Sequence, residues 1–547
     1  MKPSIKNIFY IVSIGFLFNS CNDILQVDNP SQITDTFYNT KEGQRALFVD
    51  IYSKYRSVYS TGDLQYYGTD LYMAITESPN EKMFNGYDTS FNGTAGNIGG
   101  YWSNLYKIIQ ESNILLSRTK TSTEGLTISE YNSISAQGRF LRVLAYYYLV
   151  ETFGPVPFYT EESNDIISSV TRKPEAEIYS FMIDELQSIK NVLPAKSVES
   201  GRVSNAAVMH LLGKIYLTRG YRSYTAVGDY QNAAIAFEDV INKSGHKLLS
   251  SFESVFNENN QNNNEVIWAI QYGTNKNFFG SGNIQQTLFG FNITALNPDL
   301  FVASQTDYSF MERNYWVNPR VHELFTDPIA DSRYDATFQR EFYVNNLDSK
   351  DKGKLGIYFP RWNDNSGDNK GAVNFYPFKK DGQYYWYPQS SALTEFKDAS
   401  DKMPIIKKFK DTKMLWKGSG TREDVIMRLA DTYLLCAEAY LGMGNMVKAL
   451  EKTNVIRARA ARTAADVNTL KLNNIDLEIL MDERGRELLG EHDRWFDLKR
   501  SGLLISRTKN YNPFVQKYNN LNSDHLIRPI PQDEIDRLTG LSQNKGY

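Results

Sequence analysis

The chain has 547 residues, a net charge of −3 and a pI near 6.1, without the basic balance that a nucleic-acid binder needs. Its five histidines (His210, His246, His322, His492 and His525) lack metal-ligand spacing, and there is no CxxC, HExxH, GxSxG or phosphate-loop pattern. No cofactor, metal site or catalytic residue is expected, and the unusual quantity is the aromatic content, 13% with 36 tyrosines and 7 tryptophans.

From the N-terminus, Lys2 and Lys6 precede an apolar run, Ile8 to Phe18, too short for a permanent span and shaped like a secretory signal. Leu17-Phe18-Asn19-Ser20-Cys21 resembles a bacterial lipobox, with residues 1–20 as signal peptide and Cys21 as the acylated residue. Three acyl chains exceed the two hydrophobic signals that stable anchoring needs, so a membrane-anchored protein with a water-soluble body is expected. Cys436, on an apolar helix face, reads as a small core residue. With Cys21 lipidated, no intrachain disulfide can form.

Helices are predicted from Lys41 to Tyr59 and from Trp102 to Arg118. Between them Thr76 to Gly100 reads as a long Gly- and Asn-rich loop, and such loops are usually functional or mobile. Ile128 to Phe153 is a strong helix closed by Gly154-Pro155-Val156-Pro157, and Pro174 to Leu193 is another. Residues 203–243 read as a helix hairpin carrying Met209, Leu212, Gly213, Tyr216, Ala233 and Phe237, its turn lengthened by residues 221–228. From Ser250 to about Gly420 the chain turns to Asn-rich loops, short strand-like runs such as Glu265 to Tyr272, and aromatic clusters. This reads as an irregular insertion packed on the helices. One domain thus covers 21–547: an N-terminal half to about residue 250, the insertion over about 251–420, and a helical part over about 421–547.

Arg428 to Arg462 is a second hairpin, joined by Gly442-Met443-Gly444-Asn445, with Leu429, Tyr433, Cys436, Ala437 and Tyr440 on one helix and Ala449, Leu450, Val455 and Ala458 on the next. The order bulky, apolar, small, aromatic, then alanine is that of a tetratricopeptide hairpin, and the 203–243 hairpin repeats it. Two hairpins of one kind predict a mostly α, helical-repeat scaffold. Asn474 to Arg500 is predicted as one further helix. Its neighbours three apart, Glu483 with Arg486, Arg484 with Glu487 and Glu491 with Arg494, read as a charged network rather than as the paired carboxylates of a glycosidase.

The blocks RLADTYLLCAEAY (428–440), NVIRARAA (454–461), ILMDERGRELLGEHDRWFDLKR (479–500) and the ending IPQDEI with LSQNKGY resemble the SusD/RagB family of surface nutrient-binding lipoproteins. YWSNLYKIIQESNILL (101–116) and GRFLRVLAYYYLVETFGPVPF (138–158) resemble that family's N-terminal half. The resemblance implies a tetratricopeptide-like right-handed superhelix with an irregular face packed on one side. It also implies a non-catalytic protein on the outer face of the outer membrane. Its expected partner is a SusC-like TonB-dependent transporter, over which family members close as a lid while capturing oligosaccharides, or peptides in some members.

Binding a sugar without catalysis requires flat aromatic faces for the apolar side of the ring and polar groups for its hydroxyls. Aromatics on polar loops fit this better than aromatics on helix faces. The candidates are Phe84, Tyr87 and Phe91 in the first loop, Phe278, Phe279, Tyr308 and Trp316 in the insertion, and Trp362 beyond it. Asp70, Asn85, Asp88, Asn92, Asn277 and Asn283 would supply hydrogen bonds. Asn363 to Asp368 has a calcium-like composition without EF-hand spacing, so no metal is assigned to it. Peptide capture in the same transport system and, further off, a surface glycoside hydrolase are the alternatives.

Overall fold

Six long helices make up the first half: Lys41–Ser60, Gly96–Thr121, Ile128–Phe153, Glu175–Ile189, Asn205–Gly220 and Asp229–Lys243. Their starts are written locally. Thr127 and Glu130 form a reciprocal capping box, and the Ser204 side chain accepts from Ala207 N. The computed structural model describes residues 35–547 apart from 61, 75–78, 122–125, 164, 275–281, 290–292, 303–307, 309–314, 378, 381–382, 385–403 and 415–419. The signal segment, Cys21 and Phe278 therefore lie outside the described residues.

Both hairpins form, and they stack. Leu429–Gly442 packs against Asp229–Lys243, and Met446–Ala460 returns along it, capped by the Asn445 side chain, which accepts from Lys448 N. Gly213 shows why the signature needs a small residue, since a Cβ there would stand 2.6 Å from a carbon of the Phe237 ring. The second hairpin corrects one detail of the predicted face. Ala449, Thr453, Ile456 and Ala460 are buried, while Val455 and Ala458 face solvent, because the helix sits one residue round from the apolar stripe.

Two further expectations are corrected. The stretch Thr76 to Gly100 is not one long loop: Pro79–Gly86 is a helix and the next helix begins at Gly96. Asn474 to Arg500 is not one helix either. It divides into Leu477–Glu487 and Arg494–Arg500, with Gly490 at φ 77° and Asp493 at φ 82° between them. Right-handed helical hydrogen bonding cannot run through residues at positive φ.

The middle region contributes short strands rather than a large sheet. Tyr72–Ala74 pairs antiparallel with Tyr315–Val317, Val266–Ile270 with Asp424–Arg428, and Phe338–Gln339 with Ile405–Ile406. A three-stranded sheet joins Glu341–Tyr343 antiparallel to Leu355–Tyr358, which in turn pairs in parallel with Asn374–Phe375. The main hydrophobic core reaches from Leu47 to Leu541, so it takes in both halves of the chain. The small sheet has a core of its own, built from Ile293, Leu300, Phe301, Phe342, Val344, Ile357, Phe359 and Ile405. Among the described residues, no helix is long and apolar enough to cross a membrane.

Candidate functional site

Four of the predicted site residues are structural. Asp70 is fully buried, and its carboxylate receives Arg494 Nη2 at 2.6 Å and Arg507 Nε at 2.8 Å. Burial by itself would raise its pKa, but the two guanidinium groups hold it below the usual carboxylate range. Phe84, Tyr87 and Phe91 are buried as well, and they box the guanidinium of Arg528 together with Trp495, at 5.6, 5.7, 5.0 and 4.4 Å from the ring centroids. Tyr87 Oη also donates to Gly68 O. These rings sit in a polar stretch because they cover a buried arginine, and they present no face to a ligand.

The hydrogen-bonding candidates beside them are also taken up. Asn85 exchanges two bonds with the backbone of Ala74, Asp88 and Asn92 cap local turns, and Asn283 Nδ2 donates to Arg422 O. In Asn363 to Asp368 the acidic side chains close local turns, as Asp364 does by accepting from Ser366 N. Among the described residues, no group of three His, Cys, Asp or Glu side chains converges as a metal site would.

The charged segment 482–494 is a network, though only partly the one its spacing suggested. Glu483 does pair with Arg486, but it also meets Arg333 at 2.7 Å and Arg457 at 2.6 Å. Glu487 is shared by Arg333, Arg428 and Arg459, and Glu491 by Lys408 and Arg428. Arg484 reaches Asp431 and Asp497 instead of Glu487, and Arg494 reaches Asp70 instead of Glu491. Burial alone would raise Glu487, but Arg459, Arg428 and Arg333 bring it down to about 2. Carboxylates held ionised by buried arginines cannot supply the raised-pKa general acid of glycoside hydrolysis.

What remains open is the small sheet. The Tyr308 ring lies 5.2 Å from Phe342 and 5.8 Å from Phe301, and its hydroxyl both accepts from Tyr343 N and donates to Tyr343 O. Strand alternation then turns Phe342 into the small core and Tyr343 outward, where it is 50% exposed. Beside Tyr343 lies Glu341, which accepts from the Tyr343 hydroxyl at 3.2 Å and pairs with Lys370 at 2.9 Å, and across the sheet the half-buried ring of Phe375 stacks at 21° on Tyr358, the strand partner of Glu341. Tyr376 stacks on Phe359 at 26°. The surface offers half-open rings next to a carboxylate and an ammonium, the combination that a polyhydroxylated ring can use. Trp362 is half-buried and donates Nε1 to Phe325 O at 2.6 Å. Trp316 lies opposite Met73 in its strand pair.

Sequence reasoning did not single out Tyr343 or Phe375, and Tyr376 packs against the small core. The available signal was alternation: in Glu341-Phe342-Tyr343-Val344, one aromatic must face in and the next out.

The fold and this face define a class: a tetratricopeptide-like helical scaffold with an aromatic-rich lobe packed on it. The family model for the SusD family matches residues 264–547, and a second, described as starch-binding associating with outer membrane, matches 23–217. The chain belongs to the SusD family. It is similar to a SusD-like protein of Formosa agariphila, with 24% identity covering 99% of each chain. It is also similar to the starch-binding protein SusD of Bacteroides thetaiotaomicron, with 26% identity over 78% of this chain and 75% of that one. Among solved structures, a laminarin binding SusD-like protein superposes with a TM-score of 0.66 at 23% identity, covering 93% of this chain and 100% of the other. A SusD homolog from B. thetaiotaomicron superposes with a TM-score of 0.72 at 19% identity, covering 94% and 98%.

Proposed function

We propose that this protein is a cell-surface lipoprotein, anchored through Cys21 in the outer membrane, that captures oligosaccharide and acts as the lid of a SusC-like TonB-dependent transporter. The observation that carries the reading is the rim of the small sheet, where Tyr343 stands half-exposed beside Glu341 and Lys370, with the half-buried Phe375 on the outer strand of the same sheet. Tyr308 supports that platform and Trp362 extends the aromatic surface of the insertion. Trp316 and Phe278 remain candidates on the strength of their sequence positions. Names of similar proteins favour a glycan: laminarin for one solved structure, a xylogluco-oligosaccharide for another, starch for a curated relative. Binding without catalysis is supported by Glu483 and Glu487, which buried arginines hold ionised.

The test is affinity electrophoresis and calorimetry of the form lacking residues 1–21 against a panel of polysaccharides and peptides, with co-purification of a transporter from membranes. Retardation by a polysaccharide is expected. Binding to peptides alone would replace the glycan by a peptide, and release of reducing sugar would overturn the non-catalytic role.

A further inference from the structure

Buried arginines here are matched to carboxylates almost throughout, as Arg333, Arg428, Arg484 and Arg500 illustrate. Two depart from that pattern: Arg528, whose charge the four rings cover, and Arg422, which has no such box. Arg422 is only 8% exposed, no carboxylate lies within ion-pair distance of it among the described residues, its Nη1 donates to Lys410 O at 2.9 Å, and its buried Nε has no acceptor there. A guanidinium kept from water with open donors is costly unless something anionic meets it.

Arg422 lines a cleft of about 460 Å³ together with Lys407, Lys410, Phe256, Gln339, Glu253 and Glu258. The cations are placed by backbone geometry. Lys407 N is docked on Thr337 O at 2.8 Å, and Lys410 N closes a turn on Lys407 O at 2.9 Å, so these two side chains flank Lys408. Lys408 turns inward to Glu491, leaving Lys407 and Lys410 at the cleft with no carboxylate partner among the described residues. Asp411, Glu258 and Glu423 act on Arg422 from beyond ion-pair distance while accepting from Thr421, from Thr412 N and Oγ1, and from Tyr272 N, and Glu253 in the lining is exposed. The cleft thus combines three cations with no carboxylate in ion-pair distance among the described residues, an amide, and the carboxylates of Glu253 and Glu258, which can receive hydroxyls, while the ring of Phe256 is buried at its base.

We infer that this cleft takes an anionic sugar residue, with its sulfate or carboxylate on Lys407, Lys410 and Arg422 and its hydroxyls toward Gln339, Glu253 and Glu258. The inference rests on the glycan reading above and narrows the ligand to an acidic polysaccharide.

Calorimetry with three oligosaccharide probes at two salt concentrations tests it: an oligouronate, a sulfated galactan fragment, and a neutral laminarin fragment. Wild type is expected to bind at least one acidic probe more tightly than the neutral one, with affinity falling as salt rises. K407A/K410A, which alters two cleft-lining side chains, is expected to lose about tenfold or more for that probe, as charge-assisted bonds are removed, and to keep its Tm and its neutral-glycan affinity. R422Q should lose the acidic probe in the same way. The acidic probe that responds identifies the anion. Equal affinity of wild type and K407A/K410A for acidic probes, or a preference for the neutral one, overturns the cleft while leaving glycan capture intact. No binding of any saccharide overturns both.

Discussion

Asp70 and Arg494 stand 424 residues apart in sequence and meet at 2.6 Å in the core, where Arg507 completes the triad. This contact fastens the chain's N-terminal half to the segment that follows the broken helix. Removing one partner of a buried pair costs about 3–5 kcal/mol, because the other is left charged and dry. Asp70→Asn is therefore expected to lower unfolding free energy by about that much in a denaturant titration, with unchanged glycan affinity for the folded protein. A loss of binding at full stability would return Asp70 to the ligand site.

Tyr343→Ala should do the reverse. An exposed ring contributes little to folding, so stability is expected to move by less than about 0.5 kcal/mol, while glycan affinity falls about tenfold on loss of a stacking surface. Trp362 needs two substitutions to be read. Trp362→Phe removes the bond to Phe325 O and should cost about 1 kcal/mol of stability with binding retained, whereas Trp362→Ala should weaken both.

Gly213→Ala tests the repeat signature. Alanine is favoured over glycine in a helix by about 1 kcal/mol, but the added methyl would meet three Phe237 ring carbons at 2.6 to 2.9 Å. Overpacking of that kind costs about 1–3 kcal/mol. The net expectation is a lower Tm, and a raised one would mean that the two helices part easily.

Acid should unfold the protein through its buried pairs. Glu151 and Glu487 lie at about 2 in the folded chain: burial raises each, and Arg222 with Lys499, or Arg459, Arg428 and Arg333, more than reverse it. Since their ordinary value is 4.5, their stabilisation is complete above that pH and drains away as pH falls toward 2. The urea midpoint should drop most steeply in that window. Glu423 has the opposite sign. Burial pushes it up to about 7 against the pull of Tyr272 N, Arg56 and Arg422, so its ionisation lowers stability as pH rises from 4.5 to 7. Glu423→Gln should therefore gain stability relative to wild type at pH 8 and not at pH 4.5.

The helices and both hairpins were legible because their signals are local: spacing, caps and the small residue at Gly213. The candidate site was less so. Phe84, Tyr87 and Phe91 looked like loop rings because their neighbours are polar, and only Arg528, more than 400 positions later, accounts for their burial. Tyr343 and Phe375 went unremarked because each lies on a strand of two or three residues, where alternation is present but spans too few positions to stand out. The ion pairs of Arg484 and Arg494 escaped for a related reason. For Arg494, positive φ at Gly490 and Asp493 breaks the helix that would have aligned it with Glu491, whereas Arg484 and Glu487 share an intact helix and are each claimed by partners from other segments.

By itself the sequence determined a mostly α repeat scaffold, the family blocks that mark it, and the absence of any recognisable catalytic or metal motif. Tertiary structure alone decided which rings are free to meet a ligand and which cations lack a partner. Exposure and pairing depend on residues hundreds of positions away, and no local pattern encodes whether such a residue arrives.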